Sequence, residues 1–148
     1  MKDSIKPLYH TKYRNLSHAR LDFHDFLKEL NISIKKNIPK EYWFNIKMKD
    51  HFLDRLMDRK ANPDYIKKII KDSFHRNICE ILYFKTISNK DNSRICLTDT
   101  VNHVFLSYDK DYNSFTLRSF FYNPERVASK LNPEFTISPV RKMKFDEY

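Results

Sequence analysis

Helices packed against an antiparallel sheet, an α+β arrangement, are predicted by the hydrophobic pattern of this chain. Three observations lead there. Through the first half apolar residues recur at helical spacing, as in Leu21, Phe23, Phe26, Leu27 and Leu30. After His75 the pattern changes to short runs rich in β-branched and aromatic residues. Short polar connections separate those runs, and short connections join antiparallel neighbours. The expected sheet is four-stranded or slightly larger. With 148 residues the chain has the length of a single domain. Residues 1–18 read as a basic N-terminal arm and 123–148 as a C-terminal strap.

The first helix is expected over Ala19 to Ser33, followed by a basic link of Lys35, Lys36 and Lys40 around Pro39. Phe44, Ile46 and Met48 alternate with Asn45, Lys47 and Lys49, the period of a half-exposed strand. In HFLDRLMDR the residues Phe52, Leu53, Leu56 and Met57 fall on one helix face, with Asp50 placed to cap the N-terminus. Asn62-Pro63 then starts another helix, Asn at the cap and Pro in the first turn, where its missing N–H costs nothing. That helix is expected to bury Tyr65, Ile66, Ile69, Ile70 and Phe74 and to display Lys67, Lys68 and Lys71. Strands are expected at Ile78 to Phe84, Arg94 to Thr98, Val104 to Tyr108 and Phe115 to Phe121.

The balance of charge points to a polyanionic partner. Lys and Arg number 28 against 19 Asp and Glu, a net charge of +9, and each phosphate neutralised by such a cation releases condensed counterions. No apolar run reaches the length of a spanning helix, and the N-terminus lacks the apolar centre of a signal peptide, so a cytoplasmic location is expected. Cys79 and Cys96 are too few for a disulfide framework and read as two buried thiols. A metal site joining them to His75 and His103 lacks the usual zinc spacings, so none is expected. The absence of glycine excludes a Walker loop and a dinucleotide fingerprint, both of which need close backbone approach to phosphate.

His51 and Arg55 are one helical turn apart and share a face. A proton carrier beside a fixed cation suits phosphodiester cleavage. In metal-free RNA scission a base takes the 2′-OH proton, an acid protonates the departing 5′-oxygen, and cations stabilise the phosphorane. His51 fits the base and Arg55 the phosphate clamp. Lys71 or His75, also four apart, is the candidate for the second group. Arg59, Lys67 and Lys68 are further RNA-contact candidates, although Arg55 and Arg59 with Asp54 and Asp58 also read as an ordinary solvated face. His10, His18, His24 and His103 read as surface or structural residues. Tyr83, Tyr108 and Phe120 are candidates for stacking on splayed bases.

The stretch FNIKMKDHFLDRLMDR (Phe44 to Arg59), the following helix from Asn62 to Ile70, RICLTD (Arg94 to Asp99) and VASK (Val127 to Lys130) together resemble the RegB family of bacteriophage endoribonucleases, which share a fold with the RelE and YoeB messenger-RNA interferases. The resemblance spans roughly half the chain. It implies cleavage of phage messenger RNA at purine-rich translation-initiation sequences, by 2′-OH attack leaving a 2′,3′-cyclic phosphate, without metal or cofactor. A monomer in the cytoplasm of a bacterial host is implied, stimulated by the host ribosomal protein S-one. The family's first catalytic histidine falls on His51 and its arginine on Arg55. Its second histidine falls on Lys71 when the helix is continued without a gap, with His75 one turn beyond and favoured here. RelE-like enzymes carry phosphate-binding cations on the sheet, which implicates Arg94 and Arg118. Two other readings stand beside this one: a ribosome-dependent interferase, and a catalytically inactive relative that binds RNA or a host protein.

Overall fold

The structure, a computed structural model, describes residues 16–58, 61–88, 93–99, 101–122 and 135–137. The arm at 1–15, Arg59, VASK and the basic end of the strap lie outside them. Helix α1 covers Leu16–Asn37 and takes in Lys35 and Lys36 as its last turn, where cations complement the helix dipole. A short 3-10 turn, Lys40–Tyr42, leads to strand β1, Asn45–Met48. Helices α2 (Asp50–Asp58) and α3 (Pro63–Arg76) follow. Asp50 lies inside the first turn of α2, and its carboxylate accepts from Arg20 Nε at 3.1 Å. Asn62 does cap α3: its Oδ1 accepts from the backbone N–H of Asp64 at 3.0 Å and of Tyr65 at 3.3 Å. Tyr65 is exposed rather than buried.

Ile78 to Phe84, expected as a strand, belongs to helix α4, Ile78–Ile87. Its β-branched and aromatic content favours a strand, yet a continuous apolar run has no period that separates the two. Local bonding decides: Asn77 ends α3 by donating its N–H to Ser73 O, accepts from Ile81 N, and bonds Glu80 through its side chain. Ile81 and Phe84 then face the core at helical spacing.

Strands β2 (Ser93–Thr98), β3 (Asn102–Asp109) and β4 (Ser114–Tyr122) form an antiparallel meander. With β5, Phe135–Ile137, the sheet order is β1-β4-β3-β2-β5. Both outer strands run parallel to their neighbours, β1 to β4 and β5 to β2, so the sheet is mixed. Hairpin loops force antiparallel pairing only along β2-β3-β4; the outer strands arrive over long connections, as parallel pairing requires. The open edge of β1 is met by Asn31, whose side chain donates to Ile46 O at 3.1 Å and accepts from Ile46 N at 2.8 Å. That contact imitates a neighbouring strand and leaves less edge exposed.

Without glycine, the β3–β4 turn uses Asn113 at φ 52, a conformation asparagine tolerates better than most residues. Its side chain donates to Trp43 O at 2.7 Å and accepts from Tyr108 Oη at 2.7 Å. Between the helices and the sheet, Phe115 meets Phe44, Phe74 and Tyr108 at centroid distances of 5.2, 5.7 and 4.8 Å. Phe23 holds α2 against α1 through an edge-on contact with Phe52 at 5.8 Å. Tyr108 and Phe120 are buried here and are core residues; Tyr83 is exposed. Cys96 is buried and burial pushes its thiol up to about 12, while Cys79 lies on the surface. No described helix is long and apolar enough to cross a membrane.

Candidate active site

The sequence places His51 and Arg55 on the exposed side of α2 because Phe52, Leu53 and Leu56 claim the other side for the core. Arg55 Nε donates to His51 Nε2 at 3.0 Å. Accepting this bond uses the lone pair of Nε2, and the tautomer that can accept there bears its N–H at Nδ1. The pair borders an open hollow of about 430 Å³ lined also by Asp54, Met57 and Asp58. Imidazole, guanidinium and carboxylates thus meet on one helical face, at spacings of three and four residues.

Lys71 and His75 line a different hollow, of about 190 Å³, between α1 and α3, with Phe26, Glu29, Leu30 and Ser33. His75 is half-buried there, its Nε2 3.3 Å from Ser33 Oγ. The two hollows share no lining residue. Asp50, next to His51, is held at Arg20, whereas His75 is held at Ser33. Arg20 and Ser33 are separated by roughly 20 Å along the axis of α1. The structure therefore brings His51 to Arg55 and Lys71 to His75 but keeps the pairs apart.

Of the other cations expected to touch RNA, Lys67 is half-buried against α1, bonded to Asp22 and 5.3 Å from the ring centroid of Phe23. Lys68 is exposed and pairs with Asp72 at 3.0 Å, within its own helix. Arg94 on β2 and Arg118 on β4 do come together. They line a third hollow, of about 270 Å³, with Phe105, Leu106 and Ser107. Arg118 is carried there by a bulge: Leu117 faces Leu106 and Ser119 faces Phe105, leaving Arg118 as the extra residue. Its Nε donates to Ser107 Oγ at 2.6 Å.

Asp54 and Asp58, which read in the sequence as part of a solvated charged face, belong to the His51 hollow; their spacing of three and four residues from His51 and Arg55 is the signal that marks them. His18 and His24 are exposed, and His103 is buried with Nδ1 2.8 Å from Thr98 Oγ1. Among the described residues, no group of three His, Cys, Asp or Glu side chains is arranged to hold a metal ion. Comparison with protein-family models, with curated proteins and with solved structures returns no match to this chain.

Proposed function

We propose that the protein is a metal-independent endoribonuclease of messenger RNA, acting in a bacterial host cytoplasm with His51 and Arg55 at its cleavage centre. The observation that carries this reading is the 3.0 Å bond from Arg55 Nε to His51 Nε2. It pairs a phosphate-binding fork with an unprotonated imidazole nitrogen, both on an open hollow. When a phosphate takes the guanidinium, the Nε2 lone pair is released to accept the 2′-OH proton. The 2′-oxygen then attacks phosphorus and the bond to the 5′-oxygen breaks. A 2′,3′-cyclic phosphate and a 5′-hydroxyl result, the latter taking its proton from water in the open hollow.

This reading leaves Lys71 and His75 out of the step, since they line a separate hollow between α1 and α3. A positioned general acid contributes roughly 10²–10⁴-fold in rate, so a centre relying on solvent for that proton is a slow one. The resemblance at Phe44 to Arg59 supports purine-rich initiation sequences as substrate and stimulation by ribosomal protein S-one.

One observation favours a second reading, an RNA-binding protein without cleavage: Asp54 and Asp58 share the His51 hollow, and their carboxylates repel an entering phosphate. Incubating a labelled leader RNA with purified protein in EDTA, alone and with ribosomes, separates the readings. Discrete products on naked RNA support the nuclease; products only with ribosomes place it with the interferases; intact RNA throughout leaves the binding protein.

A further inference from the structure

Helices α1 and α3 lie side by side, run in the same direction and are bridged at two places. The ion pair of Lys67 with Asp22 joins them near the start of α3, and His75 Nε2, 3.3 Å from Ser33 Oγ, joins them near its end. About three turns of α1 separate the two bridges. The hollow of about 190 Å³ lies between them. Its floor is apolar: Leu30 is buried and Phe26 half-buried, with the Phe26 ring centroid 5.8 Å from Lys67 Nζ. Its walls carry opposite charges, Glu29 on α1 and Lys71 on α3, both exposed. Among the described residues neither joins an ion pair, whereas Lys67 and Lys68 of the same α3 both do. One carboxylate and one ammonium thus face a common apolar floor without neutralising each other.

We propose that this hollow binds a free α-amino acid with an aliphatic side chain of about the size of leucine. The ammonium of the ligand meets Glu29, and its carboxylate meets Lys71, with the Ser33 hydroxyl and the His75 ring beside it as further hydrogen-bonding groups. The side chain lies on Phe26 and Leu30. Packed helices stand about 8–10 Å apart, and the long Glu and Lys side chains narrow that gap to the few ångströms between the two charges of an α-amino acid. Charge sets the class of ligand. Glu29 repels a phosphate or a simple carboxylate, Lys71 repels a simple amine, and a molecule with both charges satisfies both walls. Size limits it further, because the hollow is smaller than the roughly 300–1,000 Å³ of a site for drug-sized ligands. A ligand held by both helices adds a third bridge between α1 and α3, so its binding stabilises the fold. The site shares no residue with the His51 hollow and does not depend on cleavage there.

The test is a ligand-observed NMR titration of the full chain at neutral pH with four probes. These are leucine, 4-methylpentanoate, which lacks the ammonium, 3-methylbutylamine, which lacks the carboxylate, and glycine, which lacks the side chain. Leucine binds with a dissociation constant of about 1 mM or below, and each of the others at least about tenfold more weakly. Glu29→Gln weakens leucine by about tenfold and leaves 4-methylpentanoate no weaker than in wild type, because that probe has no ammonium to lose a partner. Lys71→Gln weakens leucine to a similar extent and leaves 3-methylbutylamine no weaker, for the converse reason. These matched probes distinguish a lost contact from a damaged fold, which circular dichroism also checks. Lys68→Gln, an exposed cation of α3 outside the hollow, leaves leucine affinity within about twofold. Absence of leucine binding at about 10 mM would overturn the site. Equal affinity of leucine and 4-methylpentanoate, or equal losses in Lys68→Gln and Lys71→Gln, would overturn it as well.

Discussion

Removing the carboxylate of Asp99 tests whether this side chain ties helix α3 to the sheet. It sits after β2 and accepts from Val101 N at 2.9 Å, from Asn102 N at 2.6 Å, from Asn102 Nδ2 at 3.1 Å and from the Tyr65 hydroxyl. The first three shape the β2–β3 turn; the fourth reaches the first turn of α3. A buried hydrogen bond to a charged acceptor contributes about 1.5–3 kcal/mol, but Asp99 is only half-buried and solvent replaces part of each bond. For Asp99→Ala the set is expected to cost about 2 kcal/mol, lowering Tm by about 5–8 °C. Tyr65→Phe removes one bond and costs about 0.5–1 kcal/mol, and the double variant should show coupling of similar size.

The same hub has a pH signature. Burial pushes the Asp99 carboxyl up, but hydrogen bonds from Tyr65, from the backbone N–H groups of Asn102 and Val101 and from the Asn102 side chain outweigh it and hold it below the usual carboxylate range. Because the folded value lies under the unfolded one, the stabilisation is fully present above about pH 4 and is lost as pH falls through the folded value. Tyr65 is pushed up to about 12 by burial and then by Asp99. Its contribution is therefore complete below about pH 10 and is lost as pH rises through about 12. Urea melts at neutral pH should show the Asp99→Ala deficit, and melts near pH 2–3 should show it shrinking. Additive single variants, or a deficit that ignores acid, would refute the hub.

Three other outcomes are expected. Arg55→Ala should lower the RNA cleavage rate by about 10²-fold or more with the fold intact by circular dichroism; turnover near wild type would remove Arg55 from the centre. His75→Ala and Lys71→Ala should each leave cleavage within about threefold of wild type, since their hollow is separate, and a large loss in initial-rate assays would contradict that separation. Asn62→Ala should cost about 1 kcal/mol in urea denaturation through loss of the α3 cap, and an unchanged midpoint would show that Pro63 and packing suffice there.

Where side-chain period and local capping agree, the sequence is readable. Asn62-Pro63 announces α3, and the alternation around Ile46 announces β1, because each uses chemistry confined to a few neighbouring residues. The Ile78 run fails this test: its composition favours a strand, and the deciding bonds of Asn77 are legible only once α3 is known to end there. Parallel pairing of β1 with β4 is a long-range event with no local mark. At the site, His51 and Arg55 are neighbours by helix geometry alone, which is why their pairing is legible. The distance from His51 to His75 depends on α2 packing near Arg20 and Phe23 while α3 runs along α1 from Asp22 to Ser33, and no spacing in the sequence encodes it. The sheet hollow depends on strand register and on a bulge that delivers Arg118, both properties of the assembled sheet.

End-group analysis of RNA treated with wild type and with His51→Ala, in EDTA, tests the cleavage centre most directly. The account predicts discrete fragments with 2′,3′-cyclic phosphate and 5′-hydroxyl ends from wild type, and their loss by about 10²-fold or more in the variant. Fragments of the same kind and rate from His51→Ala, or 3′-hydroxyl ends from either protein, would contradict it.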